Sequence, residues 1–258
     1  MEIRPRQQKI DTPWIVTDRG FEHDKTEYSN AQIERIEHEY GSWTAARFAL
    51  GFTEKDLIDW KDNKKTILEI GVGKGIAFLY LFEKDVDIYG LEPSLLFSED
   101  DDLKIIRRNL KSHLETRVKI AKAVDTTLAF PNRQFDVAFA IGPNFQSFSP
   151  SIVAFVAQLT GIMAALKENP NSYICMETGN IKRMQINVRE EKRGKMQLLN
   201  FEALLNNMDA RFEKHKFFDG RNFNAEVVKI FRIDGAGKDT LPQLTALLSK
   251  DLAHYRSK

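Results

Sequence analysis

The chain contains one cysteine, Cys175, among its 258 residues. A single thiol excludes an intrachain disulfide, and it excludes a zinc or iron–sulfur site built mainly from cysteines. Cys175 lies within the largely apolar run of residues 172–176. Because free cysteines are among the most buried residue types, this setting predicts a buried, unreactive thiol rather than a nucleophile.

The sequence also lacks a strong net charge and a long hydrophobic run. Its 38 Lys and Arg residues stand against 37 Asp and Glu residues, and the formal charge of +1 gives no overall attraction to nucleic acid or to an anionic membrane. The longest apolar stretch, residues 152–166, contains Gln158 and Thr160 and is too short to span a bilayer. The N-terminus has no apolar run of the secretory type. We therefore expect a cytoplasmic protein with no clear signal for nucleic-acid or membrane partners.

Apolar residues are nonetheless plentiful, at 42% with 18 Phe, and they suffice for the core of one α/β domain. From residue 65 onward, short apolar runs alternate with helical stretches, which is typical of parallel strands joined by crossover helices. Predicted strands occupy residues 65–70, 87–92, 118–124, 135–141 and 172–177, followed by an antiparallel pair at 211–218 and 226–233. Predicted helices occupy residues 76–82, 103–114, 201–208 and a segment that Ser149 and Pro150 begin and that ends about residue 166.

Further helices are predicted on both sides of this region. Ser29 and Gln32 form a capping-box pattern that begins a helical stretch ending about residue 51, and Thr53 caps a short helix through residue 60. Residues 1–28 have no clear period and predict an irregular lead-in, whereas residues 241–255 predict a terminal helix. The expected division is an N-terminal helical lid or cap at 1–60, a central domain at 61–235 and a C-terminal helix at 236–258.

Residues 180–197 are strongly charged and weakly periodic, which predicts an irregular insertion. Glu190 and Glu191 interrupt its cationic residues, so a solvated loop is the alternative to a site for an anionic acceptor. These cationic residues are Lys182, Arg183, Arg189, Lys192, Arg193 and Lys195.

The most informative segment places three glycines at alternate positions, Gly71, Gly73 and Gly75, between a buried strand and a helix. Such a loop permits a tight turn and a close approach of a ligand to the backbone. A dinucleotide fingerprint would need glycine at position 76, where Ile76 stands. Glu69 can receive a cationic amino group but would repel a pyrophosphate, so an amino acid-like ligand fits better than a phosphate.

This loop resembles the first motif of the class I S-adenosylmethionine-dependent methyltransferases, acidic-x-Gly-x-Gly-x-Gly, and it matches every fixed position. The resemblance implies a Rossmann-like, seven-stranded, mostly parallel sheet with a C-terminal antiparallel pair and helices on both faces. It also implies S-adenosyl-L-methionine as the cofactor, with S-adenosyl-L-homocysteine as its product, bound by the central domain. The cofactor-binding residues that it implies are Glu69, Gly71, Val72, Gly73, Gly75, Glu92, Pro93, Val124, Asp125 and Ile141.

Two of these positions serve the nucleoside part of the cofactor. Glu92 follows the second strand, where a carboxylate can accept two hydrogen bonds from a ribose diol; a solvated strand-end glutamate is the alternative. Residues 128–139 resemble the family segment Leu-Pro-Phe-x-x-x-x-Phe-Asp-Val. An ungapped alignment places Val124 where the family has an acidic residue at the adenine, with Asp125 one residue later. Either the loop shifts and Asp125 serves, or backbone groups read the adenine, and Asp136 is expected to support loop structure.

The resemblance supplies no universal catalytic residue, because methyl transfer to a small molecule depends mainly on alignment and desolvation of the acceptor. Residues 141–146 are expected beside the methyl group, and Asn144 is a weak candidate for positioning the acceptor, with a role in the turn as its alternative. His113 is expected to be solvated on the charged side of a helix. Candidates for a lid over the acceptor are His23, Tyr28, Tyr40 and Trp43, with core packing or plain surface as the alternatives.

The leading functional hypothesis is a methyltransferase with a small-molecule acceptor. The alternatives are a methyltransferase that acts on a protein or nucleic acid, and a binding module that keeps the fold without catalysis. A nicotinamide oxidoreductase is disfavoured by Ile76 and Glu69. No metal ligand set is expected, and the sequence does not fix the oligomeric state.

Overall fold

The computed structural model describes residues 14–17, 20–23, 54–73, 75–93, 110–114, 116–140, 151–178, 181–188, 195–218 and 224–232. The strands are β1 (Trp14–Thr17), β2 (Gly20–His23), β3 (Thr66–Ile70), β4 (Asp87–Leu91), β5 (Val118–Lys119), β6 (Val137–Ala140), β7 (Tyr173–Glu177), β8 (Met184–Val188), β9 (Lys195–Leu199), β10 (Phe212–Phe218) and β11 (Asn224–Phe231). The α-helices are α1 (Glu54–Asp62), α2 (Ile76–Glu83), α3 (Thr126–Ala129), α4 (Ile152–Ala164) and α5 (Phe201–Asn207), and short 3-10 helices span Ala123–Asp125 and Ile181–Arg183.

Seven of these strands form one sheet in the order β10-β11-β7-β6-β3-β4-β5. The five strands from β7 to β5 are parallel, and β11 is antiparallel to both β7 and β10. The predicted mostly parallel sheet with a C-terminal antiparallel pair is therefore confirmed. Strands β3, β4 and β7 begin and end within one residue of their predicted limits.

Strands β3, β6 and β7 are buried along nearly their whole length, as expected for parallel strands that helices cover on both faces. One face packs under α4 and α5, where the rings of Phe155 and Phe201 meet edge to face at 5.5 Å. The other face packs under α1 and α2, which contribute the fully buried Trp60, Phe78 and Leu81. Helices on both faces are confirmed.

Helix α4 begins two residues later than predicted. Its N-cap is Ser151, whose hydroxyl oxygen accepts the N–H of Ala154 at 3.0 Å. The prediction that Ser149 and Pro150 begin this helix is therefore wrong, because Ser151 satisfies the orphan N–H group of the first turn.

The charged segment 180–197 contains regular structure, so the prediction of an irregular insertion is wrong. Strands β8 and β9 pair in antiparallel register, with Met184 opposite Leu199. Met184, Ile186 and Leu199 are fully buried, and they hold this pair against the core beside α5. Met184 and Ile186 are two positions apart, which is the spacing of side chains on one face of a strand. The charged residues nearby do not prevent this strand from forming.

Two further predictions of local structure need correction. Strand β5 is only two residues long, because the chain turns into a 3-10 helix at Ala123 where residues 118–124 were predicted to be extended. The irregular lead-in contains β1 and β2, which pair with Trp14 opposite His23 and lie beside β10.

Several predicted helices remain predictions. The helical stretch from Ser29, most of the predicted helix at 103–114 and the terminal helix at 241–255 lie outside the described residues, as do Tyr28, Tyr40 and Trp43. The domain limits at 60 and 235 are likewise untested. No helix in the described part of the chain combines the length and the apolar character needed to cross a membrane.

Candidate functional site

The sheet has a switch point beside β3. The chain runs from β3 outward through β4 to β5, and it then returns to β6 on the other side of β3. The loops that leave β3 and β6 therefore diverge, and in open α/β sheets this divergence opens a ligand crevice at the carboxyl ends of the strands. The glycine loop follows β3 at this edge, and Glu92 follows β4 beside it.

The glycine loop is a tight turn in left-handed backbone. Gly71, Gly73 and Gly75 have φ angles of 77°, 53° and 80°, which residues with a Cβ rarely adopt. The N–H groups of Gly71 and Val72 both donate to the carbonyl oxygen of Leu91, at 2.8 and 3.1 Å. These bonds anchor the loop to the end of β4, so its shape depends on both strands.

The glycines of this region have different roles. A Cβ on Gly73 would meet no atom closer than 3.9 Å, whereas a Cβ on Gly75 would lie 2.6 Å from the Cδ2 atom of Leu110. A Cβ on Gly90 would lie 2.3 Å from the buried side chain of Val72. Gly73 therefore leaves backbone accessible to a ligand, while Gly75 and Gly90 allow close packing. The side chain of Val72 packs against Gly90.

Two buried carboxylates flank the loop. Glu69 and Glu92 are only 4% and 5% exposed, and Glu92 Oε2 accepts the N–H of Gly73 at 2.5 Å. Within the described residues, Glu69 Oε2 has no hydrogen-bond partner. Burial, and secondly the negative charge of Glu92, raise the pKa of Glu69 well above its ordinary value. A cation bound beside Glu69 would favour its ionised form and so oppose both effects on its pKa.

The residues predicted to lie near an adenine follow β5. The N–H of Glu92 donates to the carbonyl oxygen of Lys119 at 3.0 Å, which joins the end of β4 to the end of β5. The 3-10 helix that follows carries Val124, which is 38% exposed, and Asp125, which is half-buried. The side chain of Asp125 does not cap α3, although its position precedes that helix. The structure thus brings the glycine loop, Glu92 and this turn to one edge of the sheet.

The segment from Phe130 to Asp136 serves the core rather than the crevice. The rings of Tyr89, Phe130 and Phe135 meet edge to face at 5.4 to 6.0 Å. Asp136 accepts the N–H of Thr66 at 2.7 Å and the ammonium of Lys167 at 2.6 Å. These bonds lie at the amino ends of β3 and β6, the edge opposite the glycine loop, and they confirm that Asp136 supports structure.

His113 is not freely solvated, so this prediction is wrong. Its ring is half-buried and contacts the rings of Phe78 and Phe82, at centroid distances of 5.3 and 4.5 Å. Burial, and secondly the charge of Arg117, lower the pKa of His113. The aromatic surface of α2 attracts this side chain even though its neighbours in the sequence are polar.

Cys175 is fully buried in β7, and the prediction of a buried thiol is confirmed. Burial raises its pKa to about 12, although the charge of Lys229 acts in the opposite direction. We expect the native thiol to resist a disulfide reagent such as dithionitrobenzoate at pH 8. The reagent cannot reach the buried sulfur, and little of the thiol is in the reactive thiolate form at this pH. One thiol per chain should react in denaturant, and that sample is the control. Rapid reaction of the native protein would contradict this assignment.

Two buried polar residues at the carboxyl end of β7, Glu177 and Thr178, belong to no motif recognised in the sequence. Glu177 is the last residue of an otherwise largely apolar strand and Thr178 follows it, and this position is the signal that could have identified them. The cofactor-binding candidate Ile141 and the acceptor-positioning candidate Asn144 lie outside the described residues. Among the residues that are described, no group of three or more His, Cys, Asp or Glu side chains could hold a metal ion.

Comparison with known proteins gives similarity at the level of structure alone. No family model matches the chain, and no curated protein matches it in sequence. One similar solved structure is CalS10, an amino pentose methyltransferase from Micromonospora echinaspora, which has 15% identity and a TM-score of 0.47 over 81% of this chain and 99% of its own. Another is the sugar N-methyltransferase KedS8 from a Streptoalloteichus species, with 13% identity and a TM-score of 0.46 over 84% and 98%.

A third is the magnesium protoporphyrin IX methyltransferase from Synechocystis, with 8% identity and a TM-score of 0.43 over 81% of this chain and 94% of its own. With identities below 25% and TM-scores below 0.5, these likenesses do not bear on function. The functional inference therefore depends on the residues of this chain.

Proposed function

We propose that this protein is an S-adenosylmethionine-dependent methyltransferase that acts on a small molecule. One observation carries the proposal: the glycine loop leaves backbone accessible at Gly73 between two buried carboxylates, Glu69 and Glu92. Sheet topology supports it, because this loop lies at the switch point where α/β sheets bind ligands.

The residues at this edge fit the cofactor. Its amino acid part carries an ammonium group, for which Glu69 Oε2 is a buried and unpartnered acceptor within the described residues. Glu92 would accept the ribose hydroxyls, and the main chain at Gly73 would allow the close approach. The turn at Val124 and Asp125 would contact the adenine. A pyrophosphate does not fit, because two adjacent carboxylates would repel it.

The chemistry supplied by the bound cofactor is an electrophilic methyl group on a sulfonium sulfur. The chain's own part is to bind, to orient and to exclude water. Glu92 accepts the N–H of Gly73 in the middle of the glycine loop, and the bonds to Leu91 anchor its first two residues to the end of β4. Such alignment is the main contribution an enzyme makes to an in-line displacement. The acceptor would approach from the side of β6 and β7, where we propose Asn144 as a neighbour of the acceptor and Ile141 as a neighbour of the cofactor.

A methyl-transfer experiment distinguishes this function from its two alternatives, a methyltransferase with a macromolecular acceptor and a non-catalytic binding module. The near-neutral charge favours a small acceptor over nucleic acid, and we propose separately that the protein is cytoplasmic. Methyl label from radiolabelled S-adenosylmethionine, added to a lysate with the protein, should enter the small-molecule fraction. Label in macromolecules would favour a protein or nucleic-acid acceptor, and binding without any transfer would favour a non-catalytic module.

The direct test of the proposal is ligand binding. S-adenosylhomocysteine should raise the melting temperature of the full chain, since a ligand that binds only the native state stabilises it. At a concentration of 100 times Kd the expected stabilisation is about 2.7 kcal/mol. NADH at the same concentration is the control and should leave the melting temperature unchanged. If calorimetry detects no binding of S-adenosylmethionine or S-adenosylhomocysteine at millimolar concentration, the proposal is wrong.

A further inference from the structure

Helix α4 touches the turn after β5 through a glycine, Gly161. A Cβ at this position would lie 2.7 Å from the carbonyl oxygen of Val124, 2.8 Å from that of Ala123 and 2.8 Å from the Cα of Val124. All three are main-chain atoms, so they cannot rotate away as a side chain could. A side chain of any size at position 161 would therefore displace either the helix or the turn.

The surroundings of Gly161 leave little freedom on the helix side. Glycine is among the least favourable residues in a helix interior, so its presence in α4 calls for a packing reason. The flanking Thr160 and Ile162 are buried, and the Thr160 hydroxyl donates to the carbonyl oxygen of Val156 at 2.9 Å. The helix is thus held against the core on both sides of the glycine.

The turn is internally bonded, so it would move as a unit. The carbonyl oxygen of Ala123 accepts both the N–H and the hydroxyl of Thr126, the latter at 2.5 Å. The N–H of Asp125 donates to the carbonyl oxygen of Lys122 at 2.9 Å. Ala123 itself is buried beneath α4. Displacement at Ala123 and Val124 would therefore shift Asp125 as well.

We propose that Gly161 is a positioning residue for recognition of the ligand base. It sets the height of the 3-10 helix Ala123–Asp125 above the sheet, and so it places the polar groups of that turn beside the crevice that Glu92 borders. The inference depends on the proposed function, and it assigns discrimination of adenine from other purines to this turn. Gly161 itself need not touch the ligand.

The test compares two ligands that differ at one position of the base. Calorimetry on the full chain measures Kd for S-adenosylhomocysteine and for S-inosylhomocysteine, in which a carbonyl replaces the adenine amino group. We expect Gly161→Ala to weaken binding of the adenosyl ligand about tenfold, the effect of about one lost hydrogen bond, and to change binding of the inosyl ligand less than about twofold. Val153→Ile, which adds a methylene at an exposed position of the same helix, should change neither value.

Each other outcome overturns the inference. Equal losses for both ligands would show a general structural role, and unchanged values would show that the turn is not displaced. Failure of the unmodified protein to bind S-adenosylhomocysteine would remove the proposed function and this inference with it. Hydrogen exchange on the unmodified protein tests the inference even where Gly161→Ala does not fold: the Asp125 amide should be protected before ligand is added, and rapid exchange there would overturn it.

Discussion

Replacing Glu92 with alanine is expected to weaken binding of S-adenosylhomocysteine about ten- to a hundredfold. The change removes the acceptor of the Gly73 N–H and the carboxylate that we propose for the ribose hydroxyls. Hydrogen bonds to a charged group contribute about 1.5–3 kcal/mol, which corresponds to this range in Kd. The carboxylate is buried, so solvent does not replace the lost bonds. Calorimetric titration of the purified variant measures the change.

Two controls separate the role of the charge from that of the loop. Glu92→Gln keeps an oxygen that can accept the Gly73 N–H, so its loss of affinity should be smaller. Glu202→Ala removes a glutamate of α5 that pairs with Lys214 on β10, outside the proposed site, and it should leave Kd unchanged. An unaltered Kd in Glu92→Ala would disprove the assignment of this residue to the ribose.

The features that sequence predicts well here are local ones. Strands β3, β4 and β7 are mostly apolar, because helices cover both faces of the sheet, and their limits follow closely from hydrophobicity. The glycine loop depends on backbone conformation at three alternate positions, and glycine is the residue that adopts positive φ at little cost. Both kinds of information are contained in a few consecutive residues.

The hairpin of β8 and β9 was missed for a different reason. Its charges predict a solvated segment, whereas burial of Met184, Ile186 and Leu199 decides its structure. Apolar and polar residues alternate over only five positions, which is a short signal. The high charge of the surrounding residues therefore outweighs it when the segment is judged by its composition. The alternation of apolar and polar residues at 184–188 by itself predicts strand β8.

Contacts between distant residues account for the rest of the site. The bond between Glu92 and Gly73 spans 19 positions, and the contact of Gly161 with the turn depends on how α4 packs. Among the residues that the structure describes, Glu69 Oε2 has no partner, and this too is a property of the folded environment. No pattern of neighbouring residues encodes these relations, because tertiary packing determines them.

The same environment gives Glu69 an effect on stability with a definite sign. Burial, and then Glu92, raise the pKa of Glu69 above its ordinary value of 4.5, so the folded chain binds this proton more tightly than the unfolded chain does. The free energy of unfolding therefore falls as pH rises from about 4.5 through the folded-state pKa, by at most about 1.4 kcal/mol per pH unit. Glu69→Gln should abolish this part of the fall, and urea unfolding between pH 4 and pH 8 should show the variant increasingly more stable than the unmodified protein.

The same substitution, Glu69→Gln, should lower the affinity for the ligand although it raises the stability of the protein. The ammonium group of S-adenosylhomocysteine favours ionised Glu69, so binding should release up to one proton, and Glu69→Gln should bind more weakly despite its greater stability. Calorimetry in two buffers of different ionisation enthalpy counts the protons, and 5′-methylthioadenosine, which lacks the amino acid, should release fewer. A structural defect lowers stability and affinity together, so opposite signs distinguish a ligand role for Glu69. If the variant bound S-adenosylhomocysteine as tightly as the unmodified protein, the cation-binding role of Glu69 would be disproved.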